Sequence, residues 1–187
     1  MTAPLRTSLV TVGSPGSAPP RLPSFAPGAV VRRHTDVPAP EVLRRALRST
    51  LDLLTGADRR QAPVFVAAAP YAACTATYFA ERHEDPSRRL RPSHSIQMEC
   101  SRLAQGLDQD LDEADRWTGE LFFLCTPEHD VRQSIRSARA AVAGGVPAAL
   151  VAEIAVAAGT EDGKPALSAA ALLLVAESGD LSTGDPA

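Results

Sequence analysis

The chain has 187 residues, 44% of them hydrophobic and 22% charged, with a formal net charge of -3. That length and balance support one packed domain, and the mild acidity excludes a general nucleic-acid binder. No apolar run reaches the ~18 residues of a membrane span, and the first sixteen residues lack the apolar centre of a signal peptide. An odd set of cysteines, Cys74, Cys100 and Cys125, with no Cys-x-x-Cys, points away from a disulfide scaffold and toward a reduced, cytoplasmic setting.

Residues 8–12, SLVTV, can form a short first strand, whereas GSPGSAPPRLPSFAPG, rich in proline and glycine, reads as loop. The domain boundaries expected are therefore an irregular N-terminal segment over 1–28, a single α/β domain over 29–178 and a fraying tail over 179–187. AVVRRH (29–34) suits an edge strand. Over 39–54, Leu43, Ala46, Leu47, Thr50, Leu51 and Leu54 recur at helical spacing with arginines opposite, and Gly56 is read as the stop. PVFVAAA (63–69) is a continuous apolar run, the mark of a strand buried on both faces. Helix returns over 71–82, carrying Tyr71, Cys74, Thr75, Tyr78 and Phe79 on one broad face.

The next stretch, HEDPSRRLRPS, reads as a charged loop; its Arg88, Arg89 and Arg91 either meet a phosphate or are simply solvated. Ile96, Cys100, Leu103, Leu107 and Leu111 then predict a helix over 94–115. Its acidic run places Asp108, Asp110 and Asp112 like the start of a calcium loop, but the central Gly and final Glu are missing. ELFFLC (120–125) predicts a buried strand, Thr126 a helix cap and Pro127 the first helical position. Val131, Ile135, Ala138 and Val142 form that helix's buried stripe, which ends at Gly144-Gly145. ALVAEIAV (149–156) and LSAAALLLVAE (167–177) follow as a strand pair expected to be antiparallel. The element order predicts a mixed sheet flanked by helices.

Cys125 is the chief chemical candidate. It ends a strand just ahead of a helix N-terminus, where free amides stabilise a thiolate or an oxyanion. His129 lies four residues on and can act as its base if both face one pocket. The alternative is a buried thiol beside a surface histidine. Cys125, His129, His94 and His83 match no metal spacing, so no metal is expected. Cys74 and Cys100 read as core thiols. GSPG (13–16) has the spacing of neither a phosphate loop nor a dinucleotide fingerprint, and no cofactor is expected.

LFFLCTPEHDVRQSIRSARAAVAGGVPAALVAEIAV (121–156) resembles the central stretch of the thiolase-like fold in β-ketoacyl synthases. In that family a strand ends at the nucleophilic cysteine, a helix runs down from it, and a small-residue segment ending in Gly-Gly leads to the next strand. SAAALLLVAES (168–178) resembles the closing strand, RRALRSTLDLLTGADRRQAPVFVAAA (44–69) the helix and strand before the pocket, and RPSHSIQMECSRLAQGLD (91–108) the segment running to the dimer interface. Carrying the family's glycines across shifts the match by about two residues, onto Pro127. The resemblance implies a thiolase-like half-fold without the half that holds the family's two condensing histidines. It further implies an accessory, non-condensing protein of fatty-acid or polyketide biosynthesis that binds an acyl substrate or an acyl carrier protein. The expected assembly is a homodimer, or a heterodimer with a ketosynthase-like partner, with residues 93–125 near the interface and no nucleic-acid or membrane partner. A small acyltransferase or thioesterase using Cys125 and His129, and a binding protein unrelated to acyl chemistry, are the alternatives.

Overall fold

The computed structural model describes residues 5–17, 29–85, 87, 99–107, 116–125, 131–157 and 166–176. Six strands, β1 (Leu5–Gly13), β2 (Ala29–His34), β3 (Val64–Ala67), β4 (Leu121–Leu124), β5 (Ala148–Ala157) and β6 (Ala166–Ala176), join in one sheet of order β2-β1-β6-β5-β3-β4. The pairs β1/β2, β3/β4 and β3/β5 are parallel, while β6 runs antiparallel to both of its neighbours, β1 and β5. The mixed sheet and the antiparallel β5/β6 pair are as the sequence predicts.

Central position explains the sequence of β6. Ten of its eleven residues are buried, with Leu167, Ala169, Ala171, Leu173 and Val175 facing one core and Leu172 and Leu174 the other. A strand covered on both faces has no solvent side, so its sequence shows no alternation. On the larger core, α1 (Val42–Leu51) lies across β1, β5 and β6. Its buried residues include Leu43, Ala46, Leu47, Thr50 and Leu51, the stripe read from the sequence, and the Thr50 hydroxyl donates to the Ala46 carbonyl at 2.8 Å. On the other face α4 (Val131–Ala143) buries Val131, Ser134, Ile135, Ala138 and Val142 against β3, β5 and β6. Gly145, at φ 105°, ends it, and the Val146 amide donates back to the Ala141 carbonyl at 3.1 Å. That six-to-one bond with a left-handed glycine is a Schellman close.

Four expectations are corrected. The strand expected over 8–12 forms, extended to Leu5–Gly13, and lies inside the sheet between β2 and β6, so these residues belong with the sheet and not with the irregular segment expected over 1–28. One of the strand's two partners, β6, is more than 150 residues away, so local sequence carries no sign of its central place. Gly56 does not stop the first helix but opens α2 (Gly56–Gln61) after the turn at Asp52–Leu54. The long helix over 94–115 is not formed where it is described: Cys100–Ala104 is a 3-10 helix, and Gly106 follows at φ 79°. Leu103, Ala104 and Leu107 are nonetheless buried in the larger core, so the apolar spacing reports burial and not α-helix. Finally, β4, expected to be a buried strand, is the edge strand of the sheet, and Phe122 is 39% exposed.

The third long helix, α3 (Ala69–Glu84), starts where β3 ends and buries Tyr71 and Thr75, with Cys74, Tyr78 and Phe79 half-buried. Among the described residues no helix is long and apolar enough to cross a membrane. The Arg88, Arg89 and Arg91 cluster, His94, the acidic run at 108–112, Thr126, Pro127, His129 and the 179–187 tail lie outside the described residues.

Candidate functional site

Apart from β6, every strand runs in one direction, so β1 to β5 present their carboxyl ends at one edge of the sheet. Ligand sites of open α/β sheets form at that edge. Cys125 and a cavity beside Ser14 and His34 both lie there, at opposite ends.

Cys125 follows β4 directly. Strand alternation turns Leu121, Phe123 and Cys125 toward the larger core and Phe122 the other way, where its ring stacks on Phe65 at 5.0 Å. The start of β4 is pinned by the turn before it. The Trp117 indole N–H donates to the Ala62 carbonyl at 2.9 Å, the Thr118 amide to the Arg60 carbonyl at 2.8 Å, and the Val64 amide to the Glu120 carbonyl at 2.8 Å. Gly119 makes this possible: a Cβ there would stand 2.5 Å from the Ala62 carbonyl oxygen and 2.6 Å from the indole nitrogen. At the far end the Ala68 amide donates to the Leu124 carbonyl at 3.0 Å, tying the residue before Cys125 to the start of α3.

The sulfur of Cys125 meets that of Cys100 at 3.6 Å. Cys100 opens the 3-10 helix, and its thiol is pushed up to about 12, first by burial and then by the bond and charge of Cys125. Burial likewise raises the Tyr71 phenol, and Cys100 and Cys74 raise it further. Tyr71 thus lies within electrostatic reach of both thiols, and no cysteine is in a disulfide. Chemically this is a dithiol beside a phenol that stays neutral. Sequence reasoning missed the partnership of Cys100 and Cys125, because the two lie on separate elements 25 positions apart. The one available signal was the parity of β4, which sets Cys125 on the same face as Phe123.

Two of the four histidines, His34 and His83, are among the described residues. His129, the base expected for Cys125, lies outside the described residues, so the structure gives no geometry for that pair. His34 ends β2, and its Nε2 shares a hydrogen bond of 2.9 Å with the Ser49 hydroxyl. Burial lowers its pKa, with Arg45 and Arg32 lowering it further. His83 is exposed near the end of α3. Among the described residues no three His, Cys, Asp or Glu side chains gather as a metal-holding group.

A cavity of ≈ 230 Å³ opens between the ends of β1 and β2, and its lining includes Gly13, Ser14, Ser17, Arg33, His34 and Asp36. The GSPG turn here is built for structure. The Ser14 amide donates to the Leu167 carbonyl, and the Ser14 hydroxyl accepts from the Leu167 amide, both at 2.9 Å. Ser14 thereby continues the β1–β6 ladder one step past the strand. A comparison with known protein families finds none that matches this chain, and a comparison with curated proteins finds no similar sequence.

Proposed function

We propose that the chain is an accessory, non-condensing thiolase-like protein of fatty-acid or polyketide biosynthesis, binding an acyl group, its carrier protein or a ketosynthase partner. One observation carries the reading: the succession at the carboxyl edge. Cys125 follows strand β4 directly, α4 runs back from that edge, Gly144-Gly145 closes it, β5 returns, and β6 pairs with β5 in the opposite sense. The resemblance of residues 121–178 implies that succession of elements in that order.

An accessory role is favoured over condensation by the surroundings of Cys125. Carbon–carbon bond formation from a malonyl thioester needs donors fixed around the developing enolate. Cys100 is the hydrogen-bond partner of Cys125, while His34 stands at the other end of the sheet bonded to Ser49. A pairing role is supported by β4, whose outer edge has no strand beside it among the described residues and whose Phe122 is exposed. The second reading, a cysteine-dependent acyltransferase or thioesterase, draws on the half-buried thiol of Cys125 at the edge where such sites form.

Purified protein is incubated with acyl and malonyl thioesters, alongside Cys125→Ala, and followed by product analysis and intact mass. The expected result is no ketoacyl product, together with a dimer or a complex with a ketosynthase-like protein on size-exclusion chromatography. Cys125-dependent ketoacyl product from this chain alone refutes the reading. Stable acylation at Cys125 with turnover moves the assignment to the transferase.

A further inference from the structure

We propose that Cys100 and Cys125 form a redox-active dithiol that closes to an intramolecular disulfide with hydrogen peroxide and reopens with a thiol reductant. The inference is independent of any acyl chemistry. Its basis is the 3.6 Å approach of the two sulfurs. A disulfide bond is ~2.05 Å long, so closure asks the sulfurs to move together by about 1.5 Å. The positions allow such a movement. Cys100 is the first residue of its 3-10 helix after the extended Glu99, and Cys125 is the first residue past β4. Neither sits in the middle of an element, where rotation of the backbone would break a ladder. Both side chains are half-buried, which leaves the sulfurs within reach of a small oxidant.

The chemistry balances in two steps. The Cys125 sulfur attacks one oxygen of hydrogen peroxide; the S–O bond forms, the O–O bond breaks, and the departing hydroxide takes the thiol proton as water. The Cys100 sulfur then attacks the sulfenic sulfur of Cys125; the S–S bond forms, the S–O bond breaks, and the second hydroxide leaves with the Cys100 proton as water. Two thiols are oxidised, one peroxide is reduced to two waters, and the protein loses two hydrogen atoms. The first attack is assigned to Cys125 because burial and the Cys125 contact hold Cys100 protonated. Cys74, on α3, takes no part and serves as the internal reference.

The test treats the full chain with equimolar hydrogen peroxide, then counts free thiols under denaturing conditions and maps peptides without reductant. The expected result is a fall from three free thiols to one, a Cys100–Cys125 cross-linked peptide, and an intact mass lower by two hydrogens, all reversed by dithiothreitol. Cys74→Ser gives the same cross-link with no thiol left. Cys100→Ser gives no cross-link, and its Cys125 is trapped by dimedone as the sulfenic acid. The proposal is overturned if three thiols survive, if a cross-link involves Cys74 or joins two chains, or if oxygen is added to single cysteines without a cross-link.

Discussion

Replacing Gly119 with alanine tests how the edge strand is held. The added Cβ would stand 2.5 Å from the Ala62 carbonyl oxygen, and ordinary contact begins at 3.4 Å, so the turn must retreat by about 0.9 Å. That carbonyl is also the acceptor of the Trp117 indole N–H at 2.9 Å. Losing that bond costs about 1 kcal/mol, and overpacking at a site that yields only partly costs about 1–3 kcal/mol. Alanine restrains the unfolded chain and returns about 0.4–1 kcal/mol. The net destabilisation expected is about 2 kcal/mol, or roughly thirtyfold in the unfolding constant. Trp117 is the only tryptophan in the chain, so its fluorescence reports directly on the perturbed site during urea unfolding. Gly144→Ala is the reference, since its nearest neighbours stand at 3.3 Å and belong to its own helix, and a change within about 0.5 kcal/mol is expected. Equal urea midpoints and emission maxima for wild type and Gly119→Ala would refute the clamp.

Leu173 is fully buried at the centre of β6, and Leu173→Ala should cost about 2–5 kcal/mol in chemical denaturation; a loss below ~1 kcal/mol would mean the core is looser than its burial implies. Arg48 donates to the Gly106 carbonyl at 2.8 Å, fastening the turn after the 3-10 helix to α1. Arg48→Met should cost about 1.5 kcal/mol and speed amide exchange over Leu103–Leu107; unchanged exchange there would rule the tether out. His34 has a folded-state pKa below its ordinary 6.5, so the unfolded chain binds more protons in the interval between the two values. Its contribution is therefore fully present above pH 6.5 and is lost as pH falls toward the lowered folded value. His34→Gln should flatten the decline of the urea midpoint between pH 7.5 and 5.5, and an unaltered slope would assign that decline to other groups.

Long-range order was legible where burial alone dictates residue type. The runs at 149–156 and 167–177 are apolar at nearly every step because strands deep in a sheet have no wet face. The stripe from Leu43 to Leu54 was readable for the opposite reason, since α1 has a wet face and its arginines mark it. Misreadings fell where the same apolar spacing serves two geometries. Cys100, Leu103 and Leu107 keep helical intervals, yet they pack a 3-10 helix and turn against α1, with Gly106 in the left-handed region. The run LFFLC reads as a buried strand, but it forms a sheet edge where Phe122 finds its shelter on Phe65. The pairing of Cys100 with Cys125 was illegible, because it depends on how the 3-10 segment lies beside β4. Local sequence records only the parity of β4, which sets Cys125 on the face of Phe123.

The placement of β6 has a bearing on how the protein is made. Strands β1 and β5 do not touch as partners; each is bonded to β6, which follows all the other strands in the sequence. Until residues 166–176 have left the ribosome, the nascent chain holds two fragments of sheet, β2-β1 and β5-β3-β4, each with a bare apolar margin. Neither can close the gap by pairing with the other in the native arrangement. Assembly therefore waits on a late, non-local event, which slows folding and lengthens the exposure of sticky edges. The small alanines of β6 suit a wedge that must slide between two preformed edges, and a chain stopped before residue 166 would be left as two unjoined half-sheets.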